Sequence, residues 1–131
     1  MATIFSKIIS GEIPCHKIAE THDYFAFLDI MPLAIGHTLV IPKREVDYIF
    51  DLSNEELSGI IQFAKRVAAA VEKSIPCLRI GVSVIGLEVP HAHIHLIPLN
   101  SMEDINFSRP KLKPTSEELS QIAEKIRIHF T

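Results

Sequence analysis

Apolar and polar positions along this chain alternate with two periods, and the switches between them mark the elements. The longest helical pattern runs from residue 53 to 71. Leu57, Ile60, Ile61, Ala64, Val67, Ala68 and Val71 recur at steps of three and four and so fall on one helix face. Ser53 and Glu56 stand just ahead with capping-box spacing. A second stripe, Leu119, Ile122, Ala123 and Ile126, predicts a C-terminal helix opened by Thr115 or Ser116. Residues 5–9 predict one or two helical turns ended by Ser10-Gly11. Residues 17–20 and 24–29 predict two short strands around a turn at Thr21-His22-Asp23. Residues 37–41 predict a third strand stopped by Pro42, after a loop containing Pro32 and Gly36. Residues 79–85 predict a fourth, and the stretch between Pro90 and Pro98 a fifth. Only a few residues around Gly86 separate these last two, so they are expected to pair antiparallel. Strands come grouped rather than alternating with helices. The fold class is therefore α+β, with about five antiparallel strands, a central helix over one face and a C-terminal helix.

In the fifth strand the alternation becomes chemical. His91-Ala92-His93-Ile94-His95, read as extended chain, sends three imidazoles to one face and Ala92, Ile94 and Leu96 to the other. Neighbouring rings would stand roughly 7 Å apart and the outer two roughly 13 Å apart. The histidine face is expected to be the open one, since buried unpaired imidazoles would carry a large desolvation cost. Three readings compete. The rings can be structural. They can hold zinc, although the outer two are too far apart for one ion without a ligand from elsewhere. Or they can work on phosphate, one ring attacking while its neighbours donate to phosphate oxygens.

Composition narrows the setting. The chain has 131 residues, 47% hydrophobic and 22% charged, which fits one globular domain over residues 1–131 with residues 101–131 as a helical extension. A net charge of −3 provides no basic field, so no nucleic-acid partner is expected. Cys15 and Cys77 are isolated and read as reduced thiols. Residues 1–7 hold no apolar run of signal-peptide length, and no segment reaches membrane-span length. A cytoplasmic protein without a membrane partner is expected. Lys43-Arg44 and Arg109-Pro110-Lys111-Leu112-Lys113 read as solvated surface.

His91-Ala92-His93-Ile94-His95-Leu96-Ile97 resembles the signature of the histidine triad (HIT) family. Residues 4–14, the block from Phe27 to Pro32, the block from Gly36 to Lys43, and Gly86 with Val89 resemble the family's other segments in order and separation. The likeness is nearest to the Hint-like branch. The resemblance implies the HIT fold, a homodimer, no cofactor and no metal in the reaction. It implies a hydrolase that cleaves nucleotide conjugates at the α-phosphate, of the purine nucleoside phosphoramidate or dinucleoside polyphosphate type. By the same resemblance, His93 is the nucleophile that carries the nucleotidyl group, and His95 contacts phosphate oxygens. His91 and His37 hold the site together. Asp29 accepts the ribose hydroxyls, Ile4, Phe5, Ile8, Phe27 and Ile30 line the base pocket, and Glu88 and Val89 complete the nucleotide site.

Three departures stand out. Glu88 replaces a serine or threonine beside the leaving group, and an ionised glutamate does not donate a hydrogen bond. Ile80 and Gly81 stand where relatives carry asparagine. Thr3 and Ser6 stand where some relatives carry a zinc-binding Cys-x-x-Cys, so no such zinc is expected. An alternative reading is a nucleotide-binding regulatory module with vestigial catalysis, and a metalloenzyme is a third. The leaving group, the base preference and the purpose of Glu88 and Leu87 stay open at the level of sequence.

Overall fold

The structure, a computed structural model, describes residues 2–131; Met1, the first residue of the expected domain, lies outside them. Helix α1 (Ile4–Ser10) leads into strands β1 (Lys17–Glu20), β2 (Tyr24–Leu28) and β3 (Thr38–Pro42). A 3-10 turn at Ile49–Asp51 precedes α2 (Asn54–Ser74), β4 (Arg79–Ser83) and β5 (Ile94–Leu99). A second 3-10 turn, Met102–Ile105, precedes α3 (Ser116–Arg127). The strands form one antiparallel sheet in the order β1-β2-β3-β5-β4, so the expected α+β class and the pairing of the last two strands hold.

Strand parity decides what each face of the sheet carries. Ala26, Leu28, Val40, Ala92, Ile94 and Leu96 face α2, where they meet Ile60, Phe63, Ala64, Val67, Ala70 and Val71. Burying a large aliphatic or aromatic side chain contributes about 1.5–3 kcal/mol, so this layer holds the fold. Ser53 Oγ accepts from the Glu56 N–H while the Glu56 carboxylate accepts from the Ser53 N–H, closing the expected capping box. Helix α3, capped by Thr115, lays Leu119, Ala123 and Ile126 into the same core beside α2 and β1. On the other face Phe25, Phe27, Leu39 and Ile41 form a smaller cluster with Phe5 of α1.

β2 ends at Leu28 rather than 29, β3 begins at Thr38 rather than 37, and β5 runs on through Pro98 to Leu99; three further boundaries also differ from expectation. β3 runs through Pro42, which sits opposite Tyr24 at the strand end, where its missing N–H costs no ladder bond. β4 stops at Ser83 rather than 85. β5 begins at Ile94, not at His91. The His91 N–H turns back to the Val89 carbonyl at 2.8 Å and the Ala92 N–H donates to the Val46 carbonyl at 2.6 Å. Residues 91–93 are therefore anchored to the segment after β3 instead of joining the ladder. Their side chains still alternate, with Ala92 in the large core.

Candidate active site

Odd-numbered residues of β2, β3 and β5 share one face, and register brings their polar members together. Leu28 pairs with Thr38 and Thr38 with Leu96. One step beyond, the Asp29 N–H donates to the His37 carbonyl at 3.0 Å. His95 lies opposite Leu39. Its Nδ1 is 2.9 Å from His37 Nε2, and Asp29 Oδ2 is 3.7 Å from the same nitrogen. His93 and His95 follow on this face with ring centroids 4.9 Å apart, closer than the 7 Å expected of a flat strand. Phe5 presses edgewise on His91 at 5.7 Å and on His93 at 5.1 Å.

The hydrogen-bond partners assign the ring tautomers. The Leu33 N–H donates to His37 Nδ1 at 3.0 Å, so the neutral ring keeps its proton on Nε2 and passes it toward His95 Nδ1. His95 in turn keeps its proton on Nε2. His91 Nε2 donates to the Pro42 carbonyl at 2.8 Å, and its Nδ1 accepts from the Thr3 hydroxyl at 2.7 Å. His93 Nδ1 donates to the His91 carbonyl at 2.7 Å, which leaves the lone pair on Nε2. Thr3 also caps α1 by accepting from the Ser6 N–H. Glu45 ties this corner down, accepting from the Thr3 N–H at 2.9 Å and the Ser6 hydroxyl at 2.7 Å.

These bonds overturn the expectation of an open histidine face. His91 is 0% exposed, His93 7% and His95 8%. Burial is tolerated because the rings are paired: among the described residues no buried side-chain nitrogen or oxygen lacks a partner. Burial also disfavours the charged form of His37, His91 and His95. It pushes His37 down to about 3, with the fields of His95, Lys111 and His93 adding to it. It pushes His95 down to about 4, with His93 and Lys111 adding. His91 is lowered by burial against the pull of the Pro42 carbonyl and Glu45. Asp29 is raised by burial, although the Met31 N–H, His93 and Lys111 pull it down.

The other expected residues distribute themselves around this core. Phe5 and Phe27 belong to the small apolar cluster, and Ile8 and Val89 pack against it. Ile4 and Ile30 are exposed. Glu88 is exposed on the turn before His91, close enough for its charge to raise Asp29. A groove of about 520 Å³ runs from His93, Gly86 and Leu87 past Val82 and Ile61 to Tyr48 and Phe50.

Several contributors were not singled out from sequence as part of the site, the Thr3 hydroxyl and the Pro42 carbonyl among them. Glu45 has no motif. Leu33 contributes only a backbone N–H. Phe107 lies edgewise on His95 at 4.9 Å and on His37 at 6.4 Å. Lys111, read as solvated, is half-buried and donates to the Phe107 carbonyl at 2.8 Å.

The ligand atoms of Asp29, His37 and His95 lie within 4.8 Å of one another, a spacing that a metal ion can span. The wiring opposes it. Metal at His37 Nε2 requires the proton to move to Nδ1, where it would meet the Leu33 N–H head-on. The cluster is built as a hydrogen-bond relay.

Comparison with known proteins agrees with this geometry. The HIT domain family model matches residues 10–102. Adenosine 5'-monophosphoramidase hnt1 of Schizosaccharomyces pombe is 36% identical over 128 residues, 96% of each chain. The corresponding HNT1 of Saccharomyces cerevisiae is 43% identical over 98 residues, 74% of this chain and 62% of that one. The crystal structure of a Hit-like protein involved in cell-cycle regulation from Bartonella henselae, which carries an unknown ligand, superposes with a TM-score of 0.85. It is 34% identical, over 98% of this chain and 96% of that one. The chain belongs to the HIT family.

Proposed function

We propose that this protein hydrolyses nucleotide conjugates at the α-phosphate, with a purine nucleoside phosphoramidate as substrate and a nucleotidyl-histidine intermediate on His93. The observation that carries this reading is the 2.7 Å bond from His93 Nδ1 to the His91 carbonyl, which leaves Nε2 as an available lone pair. Similarity to two yeast adenosine 5'-monophosphoramidases supports the substrate class.

In the proposed reaction His93 Nε2 forms a bond to phosphorus. The P–N bond of the substrate breaks with its electron pair on nitrogen, which leaves as the amine after taking a proton from solvent. Water then attacks phosphorus, the N–P bond returns its pair to Nε2, and the proton of the water is released. His95 Nε2–H donates to a non-bridging oxygen, a role suited to a ring held neutral by burial. His37 keeps His95 in the donating tautomer, and His91 and its carbonyl orient His93. Asp29 accepts the ribose hydroxyls. Ile4, Phe5, Ile8, Phe27 and Ile30 receive the base, and Glu88 and Val89 border the leaving group.

The reading includes a homodimer. β4 is an outer strand with Val82 exposed, next to exposed Ile61, Tyr48 and Phe50. An apolar edge of this kind is suited to a second copy. The test of the chemistry is His93→Ala with adenosine 5'-phosphoramidate. Loss of the nucleophile is expected to lower kcat by about 10⁴-fold or more, and to abolish the acid-labile adduct detected by intact mass in the wild type. Wild-type turnover in the variant would overturn the assignment.

A further inference from the structure

The segment after β5 does not trail into solvent but straps the site. The Leu112 N–H donates to the Pro32 carbonyl at 2.9 Å, and Arg109 Nη2 donates to the Leu33 carbonyl at 2.8 Å. Arg109 Nη1 also stands 3.6 Å from Asp104 Oδ1 on the preceding turn. These ties fasten the strap to the backbone that orients His37. Between them, Phe107 turns its ring onto His95 and His37. Lys111 folds back over the same ring, its Nζ 5.7 Å from the centroid and hydrogen-bonded to the Phe107 carbonyl. That carbonyl is neutral, and no carboxylate forms an ion pair with Lys111 among the described residues.

A half-buried lysine without an ion-pair partner, beside imidazoles held neutral, is an electrostatic arrangement that awaits an anion. We propose that Lys111 supplies the positive charge for the oxygens of the phosphoryl group transferred at this site. The inference rests on the nucleotide-hydrolase reading above and extends it. N–H donors alone stabilise developing negative charge less well than donors combined with a fixed cation. The field of Lys111 reaches Asp29, His37 and His95, pulling against the protonated form of each, as its place over the Phe107 ring that lies on His95 requires. Attached to the strap, it compensates the α-phosphate whatever the leaving group.

The test compares AMP with adenosine as ligands of the full-length wild type, Lys111→Met and Lys111→Arg by calorimetry. Methionine keeps the stem over Phe107 and removes only the charge. Lys111→Met is expected to weaken AMP about tenfold or more at low salt, where a fixed charge is least screened, and to leave adenosine within a factor of about two. Arginine is expected to restore most of the AMP affinity, and high salt to narrow the gap between wild type and the methionine variant. Equal weakening of both ligands would mean that Lys111 only props Phe107, and would overturn the proposal, as would unchanged AMP affinity. Lys111→Gln serves as the second variant if the methionine form does not fold. Wild type that binds AMP but does not turn over adenosine 5'-phosphoramidate would sink the hydrolase reading while leaving Lys111 as the phosphate cation.

Discussion

Three of the four imidazoles of the site take their tautomer from a backbone group that does not titrate, and His95 takes its own from His37. The Leu33 N–H decides His37, the His91 carbonyl decides His93, and the Pro42 carbonyl decides His91. Backbone amides and carbonyls do not titrate, so the tautomers persist while the rings stay neutral. Neutrality has a measurable consequence. His37 and His95 sit at about 3 and about 4 in the folded chain, against 6.5 ordinarily. Within that window the unfolded chain binds protons that the folded chain refuses. Their stabilising effect is therefore complete above about pH 6.5 and is lost as the pH falls toward 4 and 3. His91 adds in the same direction. Asp29, raised rather than lowered, works oppositely, favouring the folded state as it takes up its proton. At pH 5 each of the two rings costs about 2 kcal/mol, and the pair is not additive because its members share a hydrogen bond. Urea unfolding at pH 7.5 and pH 5.0 checks this. Most carboxylates stay ionised across that interval, so a clear drop in midpoint at pH 5.0 is expected, and an unchanged midpoint would mean that the rings are not held neutral.

The loop between β2 and β3 is the element on which the cluster turns. It spans from Asp29 to His37 and must reverse tightly enough for Leu33 to reach His37 Nδ1. Gly36 makes this reversal at φ +94°, and a Cβ there would stand 2.9 Å from Ile75 Cγ1 and 3.2 Å from Pro98 Cγ. Gly36→Ala is expected to cost about 1–3 kcal/mol from backbone strain, plus the contact with Ile75. It is also expected to lower kcat/KM, because the displaced turn carries the donor to His37. Urea unfolding and steady-state kinetics check both; full activity in a destabilised variant would detach the loop from the site. Much of this was readable from the chain. The α2 stripe with Ser53 and Glu56, the C-terminal helix and the shared face of His91, His93 and His95 all follow from period alone. What period does not carry is register and long-range contact. Leu28 opposite Thr38 makes Asp29 and His37 neighbours, and no local pattern announces it. The late start of β5 depends on Val46 capturing the Ala92 N–H. Phe107 and Lys111 lie in a polar, basic run whose local pattern is that of solvated surface, and only the ties to Pro32 and Leu33 bring them inward.

The two faces of the sheet divide the labour of the molecule. α2 and α3 cover one face with the large core, while α1 and the strap close the other over the histidines, so the site is walled by distant parts of the chain. The outer edge at β4 is left uncovered. Val82 is 59% exposed there and Leu87, on the turn leading to the triad, is 88% exposed. Both border the groove that begins at His93. An apolar, unpaired edge strand invites a second sheet, and association across it would lay the partner beside the mouth of the site. A charge at the edge should then be intolerable in the dimer and harmless in the separated chain. Val82→Arg is expected to weaken self-association by about a hundredfold or more, the effect typical of a central contact. Thermal unfolding of the dilute variant should change little, since the side chain is outside the core. Sedimentation velocity across a concentration series reads both species directly. Wild type that stays monomeric at high micromolar concentration would sink the dimer, and dimerisation unaffected by Val82→Arg would move the interface to another face.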